Sequence, residues 1–289
     1  MIEDPVDILL STYNGQLYLS DLLCSIERQS YKNWRLFIRD DQSSDKTVRI
    51  IKEFKSKHNK KVIIIPTNNQ RLGVISSFSR LLENSTSDLI MLCDQDDIWN
   101  ENKILSMVES LHFHIRAHNL KRTTPILLFS DLQIIDSNEK VIYNSFWEKE
   151  NIKITCISDL YINFFRNFSP GCNMLFNRAL LTKTLPFPPE AVVHDWWISL
   201  NAAYSGKIFG INKKLMKYRV HSHNVIGIST ESESPSWFLF RVRNIPRFLS
   251  THQKLIKQAK RFCSLNNLRF SYFFYFFKLL LWFKFHRNK

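Results

Sequence analysis

Two carboxylates, Asp94 and Asp96, stand one residue apart at the end of the apolar run Leu89-Ile90-Met91-Leu92-Cys93. In an extended chain residues i and i+2 point the same way, so both side chains can face a single ion. Hard divalent cations such as Mg²⁺ or Mn²⁺ take oxygen ligands, and Mg²⁺ is commonly held by one or two carboxylates together with substrate phosphates. A second acidic pair, Asp40 and Asp41, closes another apolar run, and a further carboxylate, Asp195, precedes Trp196 and Trp197. A divalent metal can act as a Lewis acid on a phosphate-bearing ligand, and a separate carboxylate can act as a general base. Taken alone, Asp195 reads first as the cap of a helix whose apolar face is Trp196, Trp197, Ile198 and Leu200.

The elements that must hold these groups alternate. Residues 6–11, 34–39, 61–65 and 88–93 are short apolar runs of strand type, and residues 17–29, 46–57 and 73–84 have helical periodicity between them. This βαβαβαβ order predicts a parallel sheet buried on both faces by helices. Ligands of such sheets bind beyond the carboxyl ends of the strands. The segments at those ends are Thr12-Tyr13-Asn14-Gly15, then Asp40 to Asp45, then Asp94-Gln95-Asp96-Asp97. Asp45 or Ser44 suits the cap of the following helix, which leaves Asp40 and Asp41 for chemistry. Residues 126–130 and 140–143 read as further strands. His112, His114 and His118 do not share one helical face and read as a solvated surface rather than a metal site.

The chain has 289 residues, 40 Lys and Arg against 26 Asp and Glu, and a net charge of +14. That length suits one large globular domain with an appended piece. The charge is not evenly spread. Residues 236–289 hold twelve cations and no carboxylate, which leaves 28 basic and 26 acidic residues in the first 235. Five separated cysteines with no C-x-x-C pair indicate neither a disulfide framework nor a zinc site. The start of the chain has no basic leader before an apolar run, so a secretory signal is not expected. No charge-free apolar run reaches the ~20 residues that span a bilayer. These features together predict a cytoplasmic protein.

Several of these motifs together resemble family 2 glycosyltransferases of the GT-A fold: Ser11-Thr12-Tyr13-Asn14-Gly15, the run from Asp40 through Asp41 and Ser43 to Asp45, and Asn69 with Gly73. Cys93-Asp94-Gln95-Asp96-Asp97-Ile98-Trp99 is especially similar to bacterial rhamnosyltransferase-like members that build surface polysaccharides. The resemblance spans residues 5–228 and includes Ser169-Pro170-Gly171-Cys172-Asn173, His194-Asp195-Trp196-Trp197 and the late residues Tyr218, Arg219, His221 and Asn224. It implies an α/β, Rossmann-like nucleotide-diphospho-sugar transferase fold. It also implies that Thr12, Asn14, Asp40 and Asp41 bind the nucleotide, that Asp94, Asp96 and His221 hold Mg²⁺ or Mn²⁺, and that Asp195 is the catalytic base. Asp97, Trp99, Gly171, His194 and Trp196 are expected around the acceptor or donor sugar. Two departures are visible: Gln42 replaces the family's usual glycine, and His194 precedes Asp195 where glutamate is commoner. A hydrolase with paired carboxylates is chemically possible with the same residue types, but it has no need of acidic pairs at two strand ends.

The expected activity is inverting transfer of a sugar from a nucleotide-sugar donor, dTDP-rhamnose or else a UDP-hexose, to a saccharide acceptor carried on a lipid. Residues 1–230 form the expected catalytic domain, and residues 231–289 a helical, membrane-associating region. Fifteen of the 54 residues in 236–289 are Phe, Tyr or Trp. Lys254, Lys257, Lys260 and Arg261 share a helical face with Leu255, Ile256, Ala259 and Phe262 between them, the pattern of a helix in a membrane interface. The expected partner is the anionic inner face of the cell membrane. Nucleic acid is the competing partner for a basic, aromatic surface. It is disfavoured because the charge is confined to the tail and contiguous Phe and Leu suit lipid better than bases.

Overall fold

The computed structural model of the chain describes residues 4–67, 70–222 and 245–286. Its first half is parallel. Strands β1 (Val6–Thr12), β2 (Trp34–Asp40), β3 (Val62–Ile64) and β4 (Leu89–Cys93) lie in the order β3-β2-β1-β4. They are joined by α1 (Leu19–Glu27), α2 (Thr47–Lys57) and α3 (Gly73–Asn84). Ile8, Leu9, Leu10, Ile90, Met91 and Leu92 are wholly buried, as central parallel strands with helices on both faces require. Helix α1 starts two residues later than its periodicity predicts, because Leu17 points to solvent, 68% exposed.

Among the described residues the strands form one nine-stranded sheet. After β5 (Ile98–Trp99) and α4 (Lys103–Ala117) come β6 (Ile126–Ile135) and β7 (Val141–Tyr143), then α5 (Phe146–Lys149), α6 (Leu160–Asn163), β8 (Met174–Asn177) and α7 (Arg178–Thr184). Strand β8 is antiparallel to both β4 and β6. Helix α8 (His194–Ser205) leads to β9 (Lys207–Arg219), which runs parallel to β6 and returns the chain beneath the β4 loop. The reading of residues 126–130 stops β6 too early, because a buried Asp131 follows. Its carboxylate accepts the Leu132 and Trp147 N–H groups and the Ser145 hydroxyl, and the strand continues through it.

The tail forms α9 (Ile245–Leu265) and α10 (Tyr272–His286). The apolar side of α9, expected in lipid, instead meets protein. Leu255, Ala259 and Phe262 are buried, and Ala259, Phe262 and Cys263 share a second core with Phe164, Ala191, Trp197 and Leu200 of the body and Tyr275 and Leu279 of α10. The rings of Trp197 and Phe262 meet edge-on at 5.4 Å. Among the described residues no helix is long and apolar enough to cross a membrane. The expected boundary at residues 230 and 231 lies outside the described residues, as do Asn69 and Asn224.

Candidate active site

The carboxyl ends of β1 and β2 bring Thr12, Asn14, Asp40 and Asp41 together. Thr12 donates its hydroxyl to Asp40 Oδ1 at 2.9 Å, and Asp40 Oδ2 accepts the Ser43 N–H at 2.8 Å. Asn14 has a left-handed φ of 48°, and its Oδ1 accepts the Ser44 N–H at 2.9 Å. Gln42 also takes a left-handed φ, 66°, which explains the glycine usual at that position in the family it resembles. Asp41 is buried at the amino end of α3. Burial raises its pKa, but the Leu72 N–H, the Arg39 guanidinium and the Gly73 N–H outweigh that and hold it below the ordinary range. Arg71 covers this corner, its guanidinium 3.8 Å from the centre of the Tyr13 ring. Asp45 accepts the N–H and hydroxyl of Thr47 and so serves the start of α2.

The loop after β4 separates its carboxylates. Asp94 is half-buried, and its pKa is pushed up to about 7 by burial and then by the charges of Asp96 and Asp195. Asp96 pairs with His221 at 2.8 Å; burial still raises its carboxyl above the ordinary value. Arg219 is 2% exposed, donates to the Asp96 carbonyl at 3.0 Å and pairs with Asp21 at 3.0 Å, so it braces the loop. Asp97 and Trp99 do not line a sugar pocket. Asp97 is wholly buried and Trp99 is 3% exposed, because α4 begins with an inward lysine, Lys103, whose Nζ lies 3.9 Å from the Trp99 ring centre. Lys103 donates to the Cys172 carbonyl at 2.8 Å, and burial lowers its pKa to about 8.

Ligand atoms of Asp94, Asp97 and Cys172 lie within 4.8 Å of one another. The buried Cys172 thiol is held well above its ordinary pKa by burial and by Asp97 and Asp94, so it stays protonated and suits a hard cation poorly. The oxygen donors fit Mg²⁺ or Mn²⁺, and the crowded negative charge that raises Asp94 is what a divalent cation relieves. By contrast, the three histidines do not meet at one point: His112 pairs with Asp4 at 2.6 Å, while His114 and His118 stack on each other at 5.8 Å and on Phe209.

Asp195 lies in the first turn of α8. Its Oδ1 accepts the N–H of Trp196 at 2.6 Å and its Oδ2 that of Gly171 at 2.9 Å. Gly171 belongs to the same tight turn as Cys172, so residues 171 and 172 link the base position to the acidic loop. His194 is 7% exposed and stacked on Phe78 at 4.0 Å; burial lowers its pKa and keeps the ring neutral. Neither ring nitrogen has a partner among the described residues. Trp196 is half-buried and donates its indole N–H to the Asn163 carbonyl at 2.6 Å.

Two residues with structural duties here were not singled out by motif. Gln95 clamps the β1 loop by accepting the Tyr13 N–H and donating to the Tyr13 carbonyl, and Gly15 packs against it so closely that a Cβ would lie 2.4 Å from Gln95 Oε1. Lys103 was legible as a cation on the face of α4 that carries Met107 and Leu111.

Residues 7–119 match the family described as glycosyl transferase family 2. The dTDP-rhamnosyl transferase RfbG of Shigella flexneri is 27% identical over 247 residues, covering 81% of this chain and 79% of that protein. The UDP-Glc:alpha-D-GlcNAc-diphosphoundecaprenol beta-1,3-glucosyltransferase WfgD of Escherichia coli is 27% identical over 224 residues, 76% of this chain and 79% of its own. Among solved structures, the mannosyltransferase PcManGT of Pyrobaculum calidifontis, in complex with GDP-Man and Mn²⁺, matches with a TM-score of 0.61 at 14% identity, over 89% of this chain and 65% of that one. S. aureus TarS 1-349 in complex with UDP-GlcNAc matches with a TM-score of 0.54 at 19% identity, over 83% and 65%. The chain thus spans less than two thirds of either solved structure, and what it shares with them is the GT-A fold.

Proposed function

We propose that the chain, whose residues 7–119 match glycosyl transferase family 2, moves a sugar from a nucleotide-diphosphate donor to a saccharide acceptor, with inversion, in bacterial surface polysaccharide assembly. The observation that carries this reading is the approach of Asp195 to the acidic loop: its charge contributes to the raised pKa of Asp94, while the Gly171 N–H holds one carboxylate oxygen. The catalytic part is residues 1–230. The nucleotide rests against Thr12, Asn14, Asp40 and Asp41, and the donor diphosphate beside Asp94 and Asp96, with His221 orienting Asp96. Asp94 and Asp96 would hold Mg²⁺ or Mn²⁺, which would supply Lewis-acid stabilisation of the departing diphosphate. Asp195 takes the proton of the acceptor hydroxyl. The acceptor oxygen bonds to the anomeric carbon from the face opposite the diphosphate, the bond from carbon to phosphate oxygen breaks, and its electron pair leaves with the diphosphate.

The donor is dTDP-rhamnose, supported by the likeness to RfbG; the equal identity to WfgD makes a UDP-hexose the second reading. The acceptor is a saccharide on a lipid carrier, in keeping with the diphosphoundecaprenol substrate in the name of WfgD. The protein works in the cytoplasm, peripherally at the inner face of the membrane, with residues 231–289 toward the lipid.

Thermal unfolding with dTDP, UDP and GDP, each with and without Mn²⁺, tests the reading. A ligand that binds only the folded state stabilises it by ~2.7 kcal/mol at a hundredfold excess over its Kd. A Mn²⁺-dependent shift with dTDP is expected; a shift with UDP alone selects the hexose donor, and no shift with any nucleotide overturns the assignment.

A further inference from the structure

Helix α10 is apolar on two opposite sides, with Lys278 on a flank paired to Asp159, and those two sides meet different surroundings. Tyr275, Leu279 and Trp282, at spacings of four and three, are buried on the body. Tyr275 meets Phe165 at 5.8 Å and Trp282 meets Phe168 at 5.7 Å. On the other side Phe273, Phe276, Phe277 and Leu280 are 71%, 45%, 45% and 67% exposed. Monomeric proteins rarely leave so contiguous an apolar patch open to water.

A row of lysines on α9 meets α10 at Tyr272. Lys254, Lys257 and Lys260 are exposed along α9, and Lys260 Nζ lies 4.7 Å from the centre of the Tyr272 ring, which joins the cation row to the aromatic face. Residues 236–289 contain no carboxylate. A second copy of the chain would set one lysine row against another, whereas an anionic lipid surface complements both the rings and the lysines. At 15 residues α10 is about 22 Å long, too short to cross a hydrocarbon core of ~30 Å.

We infer that the outer face of α10, Phe273, Phe276, Phe277 and Leu280, is the seat of the protein on an anionic bilayer, with Lys254, Lys257 and Lys260 on the headgroup phosphates. Rings at the acyl boundary and lysines reaching back to the headgroups are the usual disposition of these side chains at an interface. This deepens the proposed transferase reading and rests on it for what the seat is for. Phe165 and Phe168, under the inner side of α10, directly precede the Ser169 to Gly171 turn that bonds Asp195. The bilayer seat and the base are therefore linked through α10 and the segment from Phe165 to Gly171 beneath it, and the sugar end of a lipid-borne acceptor is presented at the same membrane surface.

The test is co-sedimentation of the full-length protein with vesicles of phosphatidylglycerol and phosphatidylcholine in equal parts, and of phosphatidylcholine alone. Its variants are Phe273→Ser/Phe277→Ser/Leu280→Ser and Lys254→Gln/Lys257→Gln/Lys260→Gln. All altered side chains are exposed, so both variants should keep the wild-type melting temperature. Wild type should bind the anionic vesicles, and each triple variant should lose at least ~tenfold in partitioning. Wild type left in the supernatant, or an aromatic variant that sediments like wild type, overturns the seat. So does a wild-type dimer that the aromatic variant splits, because the face then belongs to a second copy. The nucleotide-induced thermal shift, read on the same proteins, fails separately if the transferase reading is the one at fault.

Discussion

The backbone N–H of Gly171 donates to Asp195 Oδ2 at 2.9 Å, and a Cβ at that glycine would stand 3.1 Å from His194 Nε2 and 3.2 Å from Asp195 Cβ. Such contacts are tighter than ordinary packing, so a methyl group must push the first turn of α8 aside by a few tenths of an ångström. Gly171→Ala should therefore lower kcat by ~10- to 100-fold, since misplacement of about 1 Å at a reacting centre costs on the order of 10²-fold. The donor KM should change little, because the nucleotide loop is untouched. Steady-state kinetics check this, and an equal loss in donor affinity would place the damage elsewhere.

Asp195→Asn keeps the shape of the side chain and removes its ability to accept a proton. Nucleotide binding with Mn²⁺, read by thermal shift, should persist, while transfer to acceptor falls by ~10²- to 10⁴-fold. Transfer at the wild-type rate would remove Asp195 as the base.

The parallel half of the sheet was legible because its strands are nearly pure Ile, Leu and Val runs, and its loops because acidic clusters end those runs. The inward turn of Asp97 and Trp99 was not. Sequence shows four consecutive polar residues after Cys93, but which of them faces the cleft depends on Lys103 and the returning Arg219, which come from distant parts of the chain. The apolar side of α9 was read correctly as a stripe, yet a stripe does not state its partner. Trp197 and Leu200 of α8 supply that partner here. The site assignments of Asp94, Asp96 and Asp195 came from motif resemblance, since each carboxylate alone also suits a loop or a cap.

Asp94 gives a pH signature. Its pKa of about 7 lies above the ordinary 3.8 because burial, Asp96 and Asp195 all oppose its ionisation. Between these values the folded protein holds a proton that the unfolded chain has released. In the cation-free protein the stability due to this group therefore declines as pH rises from about 4 to about 7. Cation binding needs the ionised form, so Mn²⁺ affinity should fall by ~tenfold per pH unit below about 7 as one proton must be displaced. Titration calorimetry across that range checks the slope, and Asp94→Asn should both weaken binding and flatten it.

The tail tests differently from an appended membrane anchor. Composition alone predicts that removing residues 236–289 yields a more soluble protein, but Phe262 is wholly buried between Trp197, Tyr204 and Phe164, and Gln258 Oε1 accepts the Val192 N–H at 2.7 Å, two residues before His194. Removing the tail uncovers Phe164, Trp197 and Leu200 and releases the segment leading to Asp195. The truncated protein should therefore aggregate or melt early, and Phe262→Ala should cost ~3–5 kcal/mol in the full chain, the range for a buried Phe cut to Ala. Chemical denaturation measures the second figure. A truncated chain with wild-type melting behaviour would mean that the second core contributes nothing to the stability of the body.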